Sequence, residues 1–302
     1  DVPDLKWETT TDCNVGLDLG CKMDRFNGSI DVYRRETNDL LLQTPPAAPS
    51  TNPFQFGNVD ASVINQGIEL SLAYDFVQTE DTNFGVSFNI AYNDNEVKDF
   101  AGSINTGEIN GPGLSGAFAQ RFEAGQSLFS FYMAEFTGFD ADGFPTYRDV
   151  NGDGVGDPDV DKFFVGEDGL PDVTSGLSLN FSHKNWDASA FFNGQFGFSV
   201  YNNTANSFFN AGQLTTARNV TQDVVTSGEA GGASTAVSTR FLEKGDFVRF
   251  QNATIGYNVP LSGDGTFKNL RFSLTGQNLA LWTDYSGLDP EVTVPTGTLG
   301  SG

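Results

Sequence analysis

The chain has 302 residues, a formal net charge of −23 and an apolar content of 38%, with 35 Gly and 28 Phe but only 2 Cys and 2 Met. The strong negative charge argues against nucleic acid as a partner, because no basic stripe is available to neutralise phosphates. No run of residues approaches the roughly 18 to 20 apolar positions of a membrane helix. The composition instead suits a protein that exposes apolar side chains on one face and polar side chains on the other.

Alternation of apolar and polar residues predicts four pairs of β-strands along the chain. The pairs are Trp7–Cys21 with Phe26–Leu42, Ile68–Tyr74 with Phe84–Tyr92, Leu177–Phe181 with Ala188–Gly194, and Phe247–Val259 with Leu270–Leu279. The alternation slips near Gln251, which predicts a bulge in that strand. Cys13 and Cys21 share the parity of the apolar residues in the first strand, so we expect both to be small buried side chains.

Short turns alternate with three long segments, Gln43–Ser62, Asp99–Thr174 and Tyr201–Lys244. Outer-membrane barrels keep tight turns on the periplasmic side and long loops outside, and tilted strands of about nine to eleven residues cross a bilayer. The pattern therefore predicts an all-β fold, a transmembrane antiparallel β-barrel of which this chain contributes about eight strands. A larger barrel is required because open strand edges cannot be satisfied in lipid. A soluble β-sandwich or β-solenoid is the alternative.

Strand parity assigns side chains to two faces of the predicted barrel. The predicted lipid-facing residues are Val15, Leu17, Ile30, Leu70, Phe88, Leu179, Phe192 and Leu274. The residues predicted to face the lumen are Asp18, Asp31, Glu69, Asn89 and Arg271. The strand-like segment Ser127–Phe136 does not fit this count, because a ninth membrane strand would put the next long loop on the wrong side. We expect it to lie in the outer loop, paired with the segment around Pro145 to Arg148.

The segment from Asp149 to Asp161 reads DVNGDGVGDPDVD. Oxygen-bearing side chains at positions 1, 3, 5 and 9, with Gly at position 6, match a calcium-binding loop. Position 12 departs from the pattern, because Val160 stands where a carboxylate is usual. The expected ligands of a structural calcium ion are Asp149, Asn151, Asp153, the Val155 carbonyl and Asp157, with Asp159 or Asp161 closing the shell. An acidic, Gly-rich turn without metal is the alternative.

Residues with catalytic chemistry are scarce. His183 is the only histidine, it lies in a predicted turn, and no Ser-His-Asp or Cys-His arrangement is available to it. We therefore expect no enzymatic activity. The long loops carry several aromatic residues, which are Phe54, Phe56, Phe118, Phe122, Phe208 and Phe209. They could stack on sugar rings or hold peptide side chains, but we favour a role in anchoring the loops.

Six segments, in this order, resemble the carboxy-terminal barrel of the SusC/RagA family of TonB-linked outer-membrane proteins of Bacteroidota. They read PDLKWETTTDCNVGLDLG, NGSIDVYRRETNDLLL, NQGIELSLAY, TYRDVNGDGVGDPDVDKFFVGEDGLPDVTSGLSLNF, FVRFQNATIGYNVP and LTGQNLALWTDYSGLDPEV. The resemblance implies that residues 1–302 are the carboxy-terminal part of a barrel of about twenty-two strands. Residues 99–174 would then be a long extracellular loop that carries the calcium segment 149–161. We expect the plug domain and the family's final strand to lie outside this chain.

The same resemblance implies a function. A SusC/RagA protein of the cell outer membrane would import glycans or peptides, energised by TonB through the missing amino-terminal part and assisted by a SusD-like surface lipoprotein. The expected partners are thus that lipoprotein, TonB, an oligosaccharide or peptide substrate, and outer-membrane lipid. The alternative is a structural or adhesive surface protein with calcium-stabilised loops. A plug and a TonB box in the same polypeptide would decide between the two.

Overall fold

The computed structural model describes residues 5–20, 25–44, 55–111, 114–232, 236–261 and 267–292. These residues form strands over most of their length. The strands are β1 Thr9–Gly20, β2 Phe26–Asn38, β3 Leu41–Thr44, β4 Gln55–Asn58, β5 Ser62–Gln78, β6 Thr82–Lys98, β7 Ser103–Gly111, β8 Leu114–Glu123, β9 Ser130–Ala134, β10 Phe136–Phe139, β11 Pro145–Tyr147, β12 Lys162–Asp168, β13 Val173–His183, β14 Trp186–Phe196, β15 Ser199–Tyr201, β16 Leu242–Lys244, β17 Phe247–Asn258 and β18 Arg271–Thr283.

Eight of these strands form one antiparallel sheet in the order β1-β2-β5-β6-β13-β14-β17-β18, which we call the wall. Each predicted pair is confirmed as a hairpin, and neighbouring hairpins are joined side by side. The register of β17 shifts between Phe250 and Asn252 against both of its neighbours, so the predicted bulge is also confirmed. The four hairpins therefore follow from short turns and alternation that are local in the sequence, whereas the pairings between hairpins cross the long segments.

The described parts of the long segments fold into what we call the outer loop region, which comprises the described residues within 39–61, 99–172 and 197–246. It contains a four-stranded sheet in the order β12-β9-β8-β7 and three two-stranded sheets, β3–β4, β10–β11 and β15–β16. The helices α1 (Asn203–Phe208) and α2 (Gln222–Thr226) and the 3-10 turns Ala211–Thr216 and Thr239–Phe241 also lie there. No helix in the described part of the chain is long and apolar enough to span a membrane.

The strand-like segment Ser127–Phe136 lies in this outer region, as predicted, but most of its predicted pairing is wrong. Only its last two residues contact the predicted segment: Phe136 lies opposite Tyr147, and the Glu135 carbonyl accepts a hydrogen bond from the Arg148 N–H at 3.0 Å. The strand β9 instead pairs with β12, with Phe163 opposite Met133. Pairing with β12 is favoured because Phe131 and Met133 are then buried in an apolar core with Val237, where they are 1% and 0% exposed.

The two faces of the wall have different side chains. Strand register places Leu17, Ile30, Leu70 and Ile90 in one row across four strands, as the predicted lipid face requires. Val15 and Leu274, on the same face, are 71% and 73% exposed. Side chains this apolar and this exposed on a regular sheet are typical of a surface covered by lipid.

Aromatic residues mark both edges of this apolar face. Near the short turns Trp186 packs on Tyr257, with ring centroids 4.6 Å apart. Nearer the long loops Phe192 stacks on Phe250 at 4.4 Å. Two aromatic girdles that flank an apolar band are the arrangement of membrane-spanning barrels. Cys13 also lies on this face and is exposed, so its predicted burial within the chain is wrong. Cys21 lies outside the described residues.

Glycines on the inner face make room for polar side chains from neighbouring strands. Gly67 lies beneath Tyr33, whose hydroxyl donates a hydrogen bond to Asn93 Oδ1 at 2.7 Å. A Cβ at Gly67 would collide with the carbonyl oxygen of Tyr92 and would lie 2.8 Å from the Tyr33 hydroxyl. Gly67 therefore allows a tyrosine of β2 to reach across β5 and bond to β6.

Apolar cores occur at the outer end of the molecule. The first gathers Leu40, Leu42, Ala61, Val63, Val97 and Phe122. The second gathers Ile109, Ala119, Phe131, Met133 and Val237, and the third Phe198, Val200 and Phe247. The outer loop region is thus a packed structure that rests on one end of the wall.

Candidate functional site

The inner face of the wall is a concave polar surface. A depression of about 440 Å³ on it is lined mainly by small side chains. Its lining includes Asp18 and Asn89 of the predicted lumen set, together with Ser29, Ser71, Ser87, Gly176 and Ser178. Hydroxyl, amide and glycine groups of this kind leave a wide space and offer hydrogen bonds to whatever fills the lumen.

The other predicted lumen residues also lie on this inner face. Asp31 and Glu69 are directly opposite each other on β2 and β5. Arg271 pairs with Asp187, whose Oδ2 lies 2.5 Å from Arg271 Nη2. Their parity is opposite to that of the exposed apolar side chains. The predicted division into two faces is therefore confirmed for both sets.

The acidic segment 149–161 is held together by its own backbone amides. Asp149 accepts hydrogen bonds from the N–H groups of Gly152 at 2.6 Å and Gly154 at 2.7 Å. Gly154 has φ = 93°, in the left-handed region that favours glycine. The segment thus has glycine at the position where a calcium-binding loop turns sharply.

Asn151 and Asp153 lie side by side in the same turn. Asn151 Nδ2 donates to Asp153 Oδ2 at 3.0 Å, and the Asp153 N–H donates to Asn151 Oδ1 at 2.8 Å. The Val155 N–H donates to Asp153 Oδ1 at 2.9 Å. The first half of the predicted ligand set is therefore close together.

Asp161 lies where the two ends of the segment meet. Its side chain is 1% exposed and accepts three backbone hydrogen bonds, from Asp157 at 2.8 Å, Val150 at 2.9 Å and Asn151 at 3.1 Å. The amide of Asp157 contributes most, and together these bonds hold the pKa of Asp161 below its usual value. Asp161 therefore ties the end of the segment to its beginning.

Asp157 and Asp159 complete the predicted set. Asp157 Oδ1 accepts a hydrogen bond from the Asp159 N–H at 2.8 Å. The Asp159 side chain is 90% exposed and lies 3.8 Å from Lys162 Nζ. Across the residues that the structure describes, no three His, Cys, Asp or Glu side chains form a group that could hold a metal ion. Calcium at this segment stays a prediction.

One cation at the outer end of the wall was not singled out from the sequence. Arg249, on the inner face of β17, is 4% exposed. Its guanidinium donates two hydrogen bonds to Asp289, at 2.7 and 3.0 Å, and lies 2.7 Å from Glu291. This contact holds the segment after β18 against the wall, and it lowers the pKa of Asp289. The sequence feature that could have identified Arg249 is its position among the lumen-facing residues of a strand in a strongly acidic chain.

A second buried ion pair joins parts of the outer loop region. Arg240 donates two hydrogen bonds of 2.8 Å to Glu229, whose side chain is fully buried. The same guanidinium lies 5.0 Å from the ring centroid of Phe139 and 4.7 Å from that of Phe241. Nothing in the local sequence around either partner predicts this pair.

The loop aromatics fall into several environments. Phe122 is 2% exposed and packs on Phe100 with ring centroids 5.0 Å apart, which is the anchoring role that we favoured. Phe118 and Phe209 are half-buried, whereas Phe56 and Phe208 are exposed. Phe54 lies outside the described residues. His183 lies beside a short turn, as predicted, with Nδ1 2.7 Å from the Thr82 hydroxyl.

Comparison with known proteins gives a consistent result. The family model for "TonB dependent receptor-like, beta-barrel" matches residues 1–279. A TonB-dependent receptor of Formosa agariphila is 32% identical over 317 residues, covering 96% of this chain and 32% of the relative. The TonB-dependent receptor SusC of Bacteroides thetaiotaomicron is 31% identical over 306 residues, covering 95% and 30%. The solved structure of the RagAB peptide transporter aligns with a TM-score of 0.80 at 27% identity, covering 99% of this chain and 34% of that one.

A wall with an apolar outer face, a polar inner face and long loops at one end defines an outer-membrane β-barrel protein. The chain belongs to the TonB-dependent receptor-like β-barrel family. Within it the chain is SusC/RagA-like, as its sequence motifs predicted, and it is located in the cell outer membrane. The chain spans about a third of the length of the relatives described above.

Proposed function

We propose that the complete protein is a TonB-dependent importer that carries oligosaccharides or peptides across the outer membrane. The observation that carries this proposal is the two-faced wall, whose inner face is lined by small hydroxyl and amide side chains rather than by a packed core. Such a surface suits a wide lumen that holds a removable plug and lets polar solutes pass. The similarity to SusC and to the RagAB peptide transporter supports the same function.

Uptake in cells tests the import function. A strain that lacks the gene should fail to accumulate labelled oligosaccharides or oligopeptides of one class, and the wild-type gene should restore uptake. Dissipating the proton gradient should abolish uptake while surface binding continues, because energy reaches the barrel only through TonB. Normal uptake of both classes without the gene would refute importer function. Loss of cell adhesion in that strain would then favour a structural surface protein.

A SusD-like surface lipoprotein is the proposed partner at the outer end. Several apolar side chains of the outer loop region are well exposed there, among them Phe144 at 48%, Leu214 at 46% and Val225 at 63%. Exposed apolar residues on an otherwise packed surface favour contact with another protein. Val225→Asp should weaken co-purification of the lipoprotein from native membranes, whereas Val155→Asp, at a similarly exposed position in the acidic segment, should not. Unchanged co-purification of the Val225→Asp protein would remove this surface from the interface.

We further propose that segment 149–161 binds a structural calcium ion. Asp149, Asn151, Asp153, Asp157 and the Val155 carbonyl would hold it, since each oxygen keeps a lone pair beyond its present hydrogen bond. Calcium would then relieve the repulsion among carboxylates crowded into one turn. Calcium at about ten times its dissociation constant should raise the free energy of local unfolding of the segment by about 1 to 2 kcal/mol. The segment should then be cleaved more slowly by proteases.

The variant Asp153→Ala tests the calcium proposal. It should remove the protection that calcium gives to the segment, while the barrel stays folded and retains its gel-shift on heating. Asp142→Ala, a change at an exposed acid of the β10–β11 hairpin, is the matched control and should leave the protection intact. Equal proteolysis of the wild type in calcium and in chelator would refute the site.

A further inference from the structure

A cavity of about 570 Å³ lies in the outer loop region, between the β7–β8 hairpin, β9 and the end of the acidic segment. We call it the loop cavity. Its volume falls within the range of about 300 to 1,000 Å³ that is typical of ligand pockets. The polar and aromatic residues that define its chemistry are Asn105, Phe118, Arg121, Tyr132, Asp159 and Lys162.

Arg121 offers most of the hydrogen-bond donors in the loop cavity. Its Nε donates to Asn105 Oδ1 at 3.0 Å, and its guanidinium carbon lies 3.5 Å from the ring centroid of Tyr132. These two contacts fix the plane of the guanidinium. Within the described ranges, no hydrogen bond or ion pair engages its two terminal nitrogens. A planar fork that is held in place with free donors fits a carboxylate.

Lys162 adds a second positive charge to the same cavity. Its only ion pair among the described residues is with Asp159, at 3.8 Å. The Asp159 side chain is 90% exposed, so water screens this long contact. Lys162 is therefore little neutralised by its neighbour.

Among the described residues, Asp159 is the one carboxylate of the nearby acidic segment that lines the loop cavity, and water screens its long contact with Lys162. The carboxylates of Asp149, Asp153 and Asp161 accept hydrogen bonds from backbone amides of their own segment. They are thus turned towards the segment's own turn and not towards Arg121. Two weakly paired cations in one cavity are unusual in a chain with a net charge of −23.

We propose that the loop cavity binds the carboxylate of an acidic solute, with Arg121 as the bidentate donor and Lys162 as the second charge. Tyr132 positions Arg121, and Phe118 supplies an apolar wall for the rest of the solute. The carboxylate could be carried by a sugar acid or by an acidic peptide, and both present the same group. This inference rests on the proposed import function, because it assigns a class of cargo.

Direct binding to the purified full-length receptor tests the proposal without requiring transport. The probes are a uronic-acid disaccharide with its neutral hexose counterpart, and a capped tripeptide with a central aspartate compared with the same tripeptide carrying asparagine. We expect calorimetry to show that one acidic probe binds at least tenfold more tightly than its neutral counterpart. The acidic probe that binds identifies the source of the carboxylate.

The variants assign this binding to the cavity. Arg121→Gln should weaken the binding of the acidic probe by between about ten- and a hundredfold, as expected for loss of hydrogen bonds to a charged group. The affinity for the neutral probe should not change. Arg121→Lys should restore part of the loss. Lys98→Gln, at an exposed pair with Glu96 outside the cavity, is the matched control and should have no effect.

Two results would overturn the inference. One is that neither acidic probe binds more tightly than its neutral counterpart, and the other is that Arg121→Gln leaves the affinity unchanged. Uptake by the same strains separates this failure from failure of the import function. If the wild-type receptor still imports its cargo, import stands and only the carboxylate site is rejected.

Discussion

Apolar side chains have opposite surroundings in the wall and in the outer loop region. On the wall Val15 and Leu274 are 71% and 73% exposed, whereas Phe131 and Met133 of the outer loop region are 1% and 0% exposed. The wall has its apolar residues on the outside because lipid takes the place of a core. The outer loop region faces water and packs like a soluble domain. Substitutions in the two regions should therefore destabilise the protein in different ways.

The largest effect is expected in the core of the outer loop region. Phe131→Ala removes a buried ring and should cost about 3 to 5 kcal/mol. Because this core is separate from the wall, protease resistance of residues 99–172 should be lost while the heat-dependent gel-shift of the barrel remains. Phe144→Ala, at a position that is 48% exposed, is the control and should change little. Unfolding of the whole barrel by Phe131→Ala would show that the two regions are not independent.

A somewhat smaller effect is expected on the lipid face. Leu70→Arg should destabilise the membrane-inserted barrel by about 2 to 4 kcal/mol if the residue lies near the midplane. Unfolding by urea in lipid vesicles measures this. Glu69→Arg changes the neighbouring residue, which faces the lumen opposite Asp31, and should cost far less. Equal costs at the two positions would contradict the division into two faces.

The inner face of the wall should be sensitive where strands approach most closely. Gly67→Ala places a Cβ against the Tyr92 carbonyl and the Tyr33 hydroxyl. Overpacking of this kind should cost about 1 to 3 kcal/mol in the same urea experiment. Gly20→Ala is the matched control, because the nearest atom to a Cβ there is Asn27 Oδ1 at 4.0 Å. A Gly67→Ala protein as stable as Gly20→Ala would show that Tyr33 moves aside freely.

The smallest effect is expected from pH and is confined to segment 149–161. Backbone hydrogen bonds lower the pKa of Asp161, so its stabilising contribution is present above the unfolded value of about 3.9. That contribution is lost as the pH falls through the folded value, which lies lower. Cleavage of the segment by pepsin should therefore accelerate below about pH 4. Asp161→Asn lacks this carboxylate and controls for the pH dependence of pepsin itself, so the rate of wild-type cleavage relative to Asp161→Asn should rise as the pH falls. A relative rate that does not change with pH would contradict the assignment.

Much of the wall could be predicted from the sequence. Leu17, Ile30 and Leu70 share one face because side chains alternate along a strand, and a short turn brings β2 back beside β1 and β6 back beside β5. The bulge near Asn252 was visible as a slip in the same alternation. The hairpins and the bulge depend on residues that are close in the chain. The lipid face is predicted from the apolar residues at every second position of a strand.

The hydrogen bonds of the acidic segment could not be predicted from its sequence pattern. The pattern predicts Asp161 as a candidate calcium ligand, and it does not predict that the same carboxylate accepts hydrogen bonds from three backbone amides. Spacing along the chain identifies which oxygens are near each other. It does not determine which donor each oxygen accepts from, because that depends on how the two ends of the segment meet.

Three contacts were decided by tertiary structure alone. The strand β9 pairs with β12 rather than with the nearer Pro145–Arg148 segment, Glu229 binds Arg240, and Arg249 binds Asp289 forty residues away. Each depends on which segments become buried together. A buried charge needs an oppositely charged partner and a buried ring needs apolar neighbours, and the local sequence does not specify which residues these are. The four hairpins of the wall could be predicted from the sequence, since their pairing needs only short turns and one apolar face. The outer loop region depended on the tertiary structure, since its cores form only when residues far apart in the chain meet.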